Sequence, residues 1–254
     1  MNGSVLLLGV DGETTRIVYN RLAQEFGPFP VIIEQPVQRS TLLRLRVRKL
    51  GLRRVASQIA FMLIVRPIIS RRGKGRIERI KSEQRLDASP IPAQHVSRVK
   101  SVNSPETTTL IARADPKVIV VNGTRIISRK VLGNTRAAFI NTHAGITPKY
   151  RGAHGGYWAL YNNDPGHCGV TVHIVDPGID TGDIVGQALI RPAREDSFVT
   201  YPYLQLAAAL PILYNAVCSA LTGTLQATPG AGPSATWYHP GILQYLAGRL
   251  RGVH

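Results

Sequence analysis

The chain has 254 residues, of which 44% are hydrophobic, so it can bury the core of one large domain or two small ones and is not a disordered tail. Lysine and arginine outnumber aspartate and glutamate by 31 to 15, which gives a formal net charge of +16. This charge points to anionic partners, such as phosphorylated ligands, nucleic acid or a membrane surface.

The first predicted elements form a βα unit. Residues 4–10 are a continuous run rich in Val and Leu, typical of a strand buried on both faces, and a helix follows from about Thr14 to Glu25. A second short strand is predicted at Val31–Ile33. The opening resembles half of a doubly wound sheet, although its glycines do not fit the dinucleotide-binding pattern. No basic residues precede the first apolar run, so we do not expect a secretory signal.

A cationic helical insertion is predicted from about residue 39 to 88. Residues 39–100 contain 17 basic and three acidic side chains and so carry +14 of the net charge. Four apolar residues recur at helical spacing and predict one buried face: Leu45, Leu52, Val55 and Ile59. Three interpretations stay open: the helices cover the sheet with solvated arginines, dock on an anionic membrane, or bind a phosphorylated partner. The longest apolar run, residues 59–65, is far shorter than the roughly 20 residues that span a bilayer.

The remaining elements alternate strands and helices. Strands are predicted at residues 118–121, 137–141, 169–175 and 183–190, and helices at 203–221, interrupted by Pro211, and at 242–250. A loop rich in turn residues, 176–182, separates the last two strands. The two cysteines, Cys168 and Cys218, fall in a strand and a helix, so a reducing compartment is favoured over a disulfide framework.

The densest polar cluster lies at the end of a buried strand. Asn141 and His143 are two residues apart, so a strand presents both on one side, and Asp180 follows in a turn. An amide can hold an oxyanion and an imidazole can move a proton, which suits acyl transfer. A histidine satisfied within the core remains the alternative.

Other site chemistries have weaker support. Six possible metal ligands fall within fewer than 40 residues, but they lack the spacing of a metal motif: His143, His154, His167, His173, Asp176 and Asp180. We therefore expect no metal. No G-x-S-x-G motif supports a serine nucleophile, and Cys168 is expected in the core.

Four segments together resemble the formyltransferase family that uses 10-formyltetrahydrofolate as co-substrate. They are residues 120–128, 141–152, 169–173 and 178–184, with Thr147 where the family has leucine. The resemblance implies an α/β fold in which a Rossmann-like, mostly parallel sheet is flanked by helices. It implies a one-carbon transferase with Asn141, His143 and Asp180 as catalytic residues, Asp180 holding His143 in its charged form. The implied folate pocket comprises Thr124, Arg125, Ile126, Ile127, Val175, Asp176 and Ile179.

The acceptor amine is less well defined. Glu13 lies where relatives that formylate glycinamide ribonucleotide bind phosphate, and methionyl-tRNA formyltransferases carry a longer C-terminal domain. The segment around residues 151–160 looks more like enzymes that formylate nucleotide-linked amino sugars for surface polysaccharide. Expected substrate contacts are Gly12, Glu13, Thr14, Arg151, His154 and Trp158. A formyltetrahydrofolate hydrolase, and an inert scaffold anchored by the basic helices, are the alternatives.

The organisation expected from these features is a catalytic domain, residues 1–195, followed by a C-terminal helical extension, residues 196–254. We expect a small-molecule amine as substrate and a cytoplasmic protein, which the basic helices could bring to the inner face of the membrane or to a phosphorylated ligand. Nucleic acid is disfavoured as a partner, and a homodimer is left open.

Overall fold

A seven-stranded sheet forms the centre of a computed structural model, which describes residues 4–253 apart from the side chain of Arg39. The predicted domain bounds at residues 1 and 254 lie outside the described residues. The strands are β1 (Val5–Val10), β2 (Val31–Glu34), β3 (Val96–Val99), β4 (Val118–Asn122), β5 (Ala138–His143), β6 (Arg151–Gly152), β7 (Gly169–Ile174), β8 (Ile184–Leu189) and β9 (Thr236–Trp237). The helices are α1 (Glu13–Phe26), α2 (Arg39–Leu50), α3 (Leu52–Ala60), α4 (Arg66–Glu83), α5 (Pro105–Ala114), α6 (Arg129–Leu132), α7 (Gly155–Tyr161), α8 (Tyr201–Thr222) and α9 (Ile242–Leu250).

The strand order is β3-β2-β1-β4-β5-β7-β8. The first five strands are parallel, whereas β7 and β8 run antiparallel to their neighbours. The predicted Rossmann-like, mostly parallel α/β fold is confirmed. Because the carboxyl ends of parallel strands share one edge, the segments that follow β4 and β5 meet there.

Helices cover both faces of the sheet because the strand residues are apolar on both sides. Val5 and Leu7 pack in a cluster with residues of α1 and α8, whereas Leu6 and Leu8 pack with Ile111 of α5 on the other face. A third, aromatic cluster joins α7 to α9 and to a π-helical turn, Phe61–Val65, that links α3 to α4.

In the described part of the chain, α8 alone is long and apolar enough to cross a membrane by length and composition. Leu206, Leu210 and Leu213 of α8 are buried in the cluster beneath the sheet, as in the core helix of an α/β domain. The predicted interruption at Pro211 is wrong, since α8 is continuous. Pro211 has no N–H group to donate to the carbonyl group one turn earlier in the helix. Because Pro211 is exposed, water can bond that carbonyl group instead.

The insertion is helical, as predicted, but the prediction of which residues form its buried face is wrong. Of the four residues at helical spacing, only Val55 is buried, whereas Leu45, Leu52 and Ile59 are exposed. No residue from 40 to 50 in α2 is buried. The reason is that α3 and the π-helical turn pack on α9 beside the sheet, which leaves their outer face uncovered.

Candidate active site

Asn141, His143 and Asp180, from two separate segments, meet at the carboxyl end of β5. Nδ1 of His143 lies 3.2 Å from a carboxylate oxygen of Asp180, in the loop between β7 and β8. Asn141 and His143 leave the strand on the same side because they are two residues apart. The structure thus brings the three residues together, while their catalytic roles stay a prediction.

His173 is a fourth polar side chain in this group, and sequence analysis missed its role there. The antiparallel pairing of β5 and β7 places His173 directly opposite Asn141. Nδ2 of Asn141 lies 3.1 Å from Nε2 of His173, whose Nδ1 lies 2.7 Å from the carbonyl oxygen of Ile174. An imidazole that donates from Nδ1 accepts at Nε2, so His173 holds one of the two amide N–H bonds of Asn141. Only the strand register, which residue spacing does not reveal, identifies this pair.

Both ring nitrogens of His143 face acceptors. Nε2 lies 2.7 Å from the carbonyl oxygen of Tyr150, and Nδ1 faces Asp180. Gly145 makes room for this contact, because a Cβ atom there would lie 2.8 Å from Nε2 of His143. The hydroxyl group of Tyr150 donates to Asp164 at 2.8 Å. These contacts fix the carbonyl group that orients the imidazole.

Burial sets the protonation of the pair. Burial lowers the pKa of His143 below 6.5, and the opposing effects of the Asp180 charge and the Tyr150 carbonyl do not reverse this. Burial alone would raise the pKa of Asp180, but the imidazole of His173, whose Nε2 lies 3.6 Å away, the imidazole of His143 and the hydrogen bond from the Gly152 N–H hold it below 3.8. In the ligand-free site, loss of solvent outweighs the attraction of Asp180, and the expectation that Asp180 keeps His143 charged during the reaction stays a prediction. Near neutral pH the pair is a neutral imidazole beside a carboxylate, which can accept a proton.

The loop that carries Asp180 is held in place from β6. The N–H group of Gly152 donates to Asp180 at 3.0 Å, and the guanidinium group of Arg151 donates to the carbonyl oxygen of Ile179 at 2.9 Å. Asp180 adopts a left-handed backbone conformation, with φ of 51°, which aspartate tolerates better than most residues. Arg151, expected to contact the acceptor, thus supports the position of the carboxylate.

A cavity of about 310 Å³ opens beside these polar groups. Its walls include the segment after β4 and the segment after β7, and all seven residues predicted to bind folate line it: Thr124, Arg125, Ile126, Ile127, Val175, Asp176 and Ile179. Thr142 also lines the cavity, but its Oγ1 atom is buried and has no hydrogen-bond partner among the described residues. The cavity thus offers backbone groups on two walls to a polar ligand.

A buried carboxylate holds the first of these walls. Glu34, at the end of β2, accepts hydrogen bonds from the backbone N–H and from Nε of Arg125, both at 2.6 Å, and from the N–H of Val102 at 3.1 Å. Asn103 donates to the carbonyl oxygen of Ile126 at 2.9 Å. The side chain and the backbone N–H of Arg125 are therefore both committed to the scaffold, so this residue shapes the wall of the cavity.

The expected substrate residues Gly12, Glu13 and Thr14 lie at the start of α1, where Gly12 is the residue before the helix. Asn122, at the end of β4, donates to Oγ1 of Thr14 at 3.2 Å, which places the start of this helix next to the cavity-lining segment. The carboxylate of Glu13 accepts hydrogen bonds from Lys81, at 3.1 Å, and from the hydroxyl group of Tyr203. Glu13 thus joins α1 to α4 and α8, and its contact with the substrate stays a prediction.

The structure places His154 and Trp158, which were predicted to contact the acceptor, away from the cavity beside Asp180. Trp158 is 1% exposed and donates its indole N–H to the carbonyl oxygen of Tyr238 at 2.8 Å. Nε2 of His154 lies 2.8 Å from Nδ1 of His239, and neither His154 nor Trp158 lines the cavity beside Asp180. Both side chains belong to the aromatic packing around α7, because the short helix turns them inward.

Metal and thiol chemistry find little support in the described residues. Among residues 4–253, no group of three or more His, Cys, Asp or Glu could hold a metal ion. Cys168 and Cys218 are free thiols, and burial raises the pKa of Cys168 to about 12. Such a thiol is not ionised at neutral pH and is a poor nucleophile.

Comparison with known sequences shows the family to which this chain belongs. Residues 65–204, more than half of the chain, match the family described as formyl transferase. The chain belongs to the formyl transferase family. This formyl transferase is 35% identical over 128 residues to the methionyl-tRNA formyltransferase of Pelotomaculum thermopropionicum, and the match covers 50% of this chain and 40% of that relative. The chain therefore spans less than half the length of that relative.

Solved structures share the fold over nearly the whole formyl transferase chain. A sugar N-formyltransferase from Shewanella sp. FDAARGOS_354 has a TM-score of 0.61 at 13% identity, covering 98% of this chain and 87% of that one. The N-formyltransferase of Helicobacter canadensis, solved with folinic acid and dTDP-3-aminofucose, has a TM-score of 0.55 at 15% identity, covering 93% of this chain and 71% of that one. At such identities the likeness shows the fold alone.

Proposed function

We propose that this formyl transferase moves the formyl group of 10-formyltetrahydrofolate to a primary amine, with Asn141, His143 and Asp180 as catalytic residues. The observation that carries the proposal is a neutral imidazole and a carboxylate, 3.2 Å apart, beside an amide at the wall of one cavity. These are the groups that acyl transfer to an amine requires.

The folate is proposed to lie between the two walls of the cavity. Residues 124–127 and 175–179 line this space, and their backbone groups that are not hydrogen-bonded within the protein would pair with the edge of a pterin ring. The shared fold of the Helicobacter canadensis enzyme, which was solved with folinic acid, supports a folate at this place.

Each catalytic residue has a distinct role in the proposed reaction. The amine nitrogen forms a bond to the formyl carbon, and its surplus proton passes to the pair of Asp180 and His143. The same proton then goes to N10 as the bond between N10 and the formyl carbon breaks, so that tetrahydrofolate leaves and the pair is restored. The amide N–H of Asn141 that His173 does not hold stabilises the negative oxygen, an effect typically worth about 3 kcal/mol.

For the acceptor we propose the amino group of a nucleotide-linked amino sugar. The fold of a sugar N-formyltransferase matches 98% of this chain, and the Helicobacter canadensis enzyme was solved with such a nucleotide sugar. A carboxylate, Glu13, stands in the turn where a phosphate would have to bind in a purine-pathway enzyme, which disfavours glycinamide ribonucleotide.

A second candidate acceptor is methionyl-tRNA, because the curated relatives carry that name at 35% identity over half of the chain. The net charge of +16 would also suit a polyanion. Water is the third candidate acceptor, and its use would make the protein a hydrolase.

The test is to incubate the full chain with 10-formyltetrahydrofolate and one acceptor at a time, and to measure release of tetrahydrofolate and formylation of the acceptor. The acceptors are nucleotide-linked amino sugars, charged initiator tRNA, glycinamide ribonucleotide and water. We expect release that depends on the amino sugar and is lost in Asp180→Asn but kept in Asp183→Asn, an exposed aspartate at the end of the same loop. Release at the same rate without any amine would indicate a hydrolase, and no release at all would contradict the proposal.

A further inference from the structure

Exposed aliphatic side chains are concentrated on one part of the molecule. Ten of the twelve most exposed large hydrophobic residues in the described chain lie on the insertion and on α9: Leu43, Leu45, Leu52, Ile59, Leu63, Ile64, Ile68, Leu243, Leu246 and Leu250. Soluble monomers rarely leave so many such residues together, and such patches mark interaction sites.

These residues form stripes along neighbouring helices. On α3 and the π-helical turn, Leu52, Ile59 and Leu63 are seven and four residues apart, while Val55 and Phe61 face the core. On α9, Leu243, Leu246 and Leu250 are three and four residues apart, and Tyr245 is buried on the other side. Each helix therefore has one buried and one exposed apolar face.

Contacts between the helices place the stripes side by side. The N–H of Ile242 donates to Oγ of Ser57 at 3.1 Å, and Nε2 of Gln58 donates to the carbonyl oxygen of His239 at 2.7 Å, which fixes α9 against α3. Ile68 of α4 and Leu246 of α9, both exposed, line one groove of about 570 Å³. We call the exposed apolar residues of α3, the π-helical turn, α4 and α9 the apolar stripe pair.

The apolar stripe pair is embedded in positive charge. No acidic residue occurs between residues 35 and 77, where twelve basic residues lie. Ten of them are exposed: Arg44, Arg46, Arg48, Lys49, Arg53, Arg54, Arg66, Arg71, Arg72 and Lys74. Among the described residues none of these ten pairs with a carboxylate. The ion pairs of the insertion begin at Arg76. The carboxylates of Glu195 and Asp196, which also line the groove of Ile68 and Leu246, are both paired with Arg76.

We infer that the apolar stripe pair and its surrounding arginines dock the protein on an anionic phospholipid bilayer. A bilayer surface offers what this face lacks, an apolar phase for the leucines and negative headgroups for the arginines within one layer. A second copy of the chain would bring ten exposed cations against ten others, which is repulsive. RNA would satisfy the arginines but give the leucines and isoleucines no apolar phase, since single-stranded RNA is bound by stacking on aromatic rings.

The test is co-sedimentation of the full chain with phosphatidylcholine vesicles that contain about one third phosphatidylglycerol, at about 0.1 M salt. The key variant replaces three aliphatic residues without changing the charge: Leu52→Gln, Leu63→Gln and Leu246→Gln. Its control is Leu189→Gln, an equally exposed leucine on β8. We expect binding to the anionic vesicles, little binding to pure phosphatidylcholine, and a loss of at least about tenfold in the triple variant but not in the control.

A second measurement separates insertion from simple adsorption. The fluorescence of a tryptophan introduced by Leu63→Trp should be quenched by lipids brominated on the acyl chain. The fluorescence of a tryptophan introduced by Leu189→Trp should not. Absence of binding to anionic vesicles at low salt would overturn the inference, as would binding that the triple variant retains in full. Tighter binding to transfer RNA than to vesicles, unaffected by the three leucine substitutions, would assign the surface to RNA instead. Thermal unfolding of each variant checks that it is folded, so loss of vesicle binding is not mistaken for loss of structure.

Discussion

Asp180 faces His143 across 3.2 Å, and both side chains are largely withdrawn from solvent, at 16% and 5% exposed. His143 ends a strand and Asp180 lies in a loop, and the two meet because the Gly152 N–H and Arg151 hold that loop against the end of β5. A carboxylate so placed influences every proton that the imidazole gains or loses. The two residues should therefore behave as one unit when either is changed.

Asp180→Asn keeps the shape of the side chain but removes its charge and its ability to accept a proton. We expect kcat/KM for formyl transfer to fall by about 10²- to 10⁴-fold. Adding His143→Ala should cause little further loss, since residues that act together are not additive. Steady-state kinetics with circular dichroism as the folding control checks this, and losses that multiply would show that the two act separately.

The pH dependence of activity follows from the lowered pKa values. The active form needs neutral His143, with its pKa below 6.5, and ionised Asp180, with its pKa below 3.8. We therefore expect the acid limb of the profile of kcat/KM to lie below pH 6.5, with activity rising as pH increases through it. Nitrogen chemical shifts of the imidazole, assigned by comparison with His143→Gln, measure the same titration directly. A limb above pH 6.5 would mean that Asp180 outweighs burial.

Gly145→Ala tests the packing that orients His143. The new Cβ atom would lie 2.8 Å from Nε2 of His143 and closer still to the carbonyl oxygen of Tyr150, so one of the two must move. We expect kcat to fall by about tenfold or more, since small displacements at a catalytic group are costly. The matched control is Gly166→Ala, where a Cβ atom meets nothing within 4 Å. Equal activity of both variants would refute the role of the contact.

Much of this site follows from the sequence, and the limits have physical causes. Strand periodicity alone places Asn141 beside His143, and the apolar runs identify most of the sheet. The contact of Asn141 with His173 depends on strand register, which becomes known only when β5 and β7 are paired. The proximity of Asp180 came from the family resemblance rather than from spacing, because a loop can carry a residue to many places.

The predicted positions of two side chains differ from the structure for the same reason. Trp158 was expected at the substrate and Leu52 in the core, and the structure reverses them: Trp158 is 1% exposed and Leu52 is 70% exposed. Amphipathic spacing reveals that a helix has two faces but not which neighbour covers each one. The short helix α7 lies under α9, whereas the outer face of α3 is left uncovered. Tertiary packing, which a single sequence does not encode locally, decides between them.

Glu34→Gln tests the anchor of the folate wall. The substitution leaves the Arg125 guanidinium without its buried anion and weakens the hydrogen bonds that hold residues 124–127. We expect a loss of about 1–3 kcal/mol in the free energy of unfolding. KM for 10-formyltetrahydrofolate should rise more than kcat falls, because the wall binds and does not react. Asp11→Asn, which disrupts two exposed ion pairs, with Arg16 and Arg98, should change the free energy of unfolding by less than about 1 kcal/mol.

His154 and His239, which contact each other within the aromatic packing, should make the free energy of unfolding depend on pH. Burial lowers the pKa of His154 to about 3 and that of His239 to about 4. Below pH 6.5 the unfolded chain gains protons that the folded chain does not, so stability falls as pH falls. At pH 5 the loss should be about 2 kcal/mol for each histidine. Urea unfolding at pH 7 and pH 5 measures it. His154→Asn, which tolerates the left-handed backbone there, should reduce the difference by about 2 kcal/mol, the share of one histidine. An unchanged difference would show that His154 is not the group responsible.

The central claim is that Asn141, His143 and Asp180 transfer a formyl group from a folate held in the adjoining cavity. Its most direct test is a single-turnover reaction with 10-formyltetrahydrofolate labelled in the formyl carbon and a nucleotide-linked amino sugar, followed by mass spectrometry of the sugar. We predict a labelled formamide in the wild-type reaction and in Asp183→Asn, and almost none in Asp180→Asn. Equal label in all three reactions, or label in none, would contradict this account of the site.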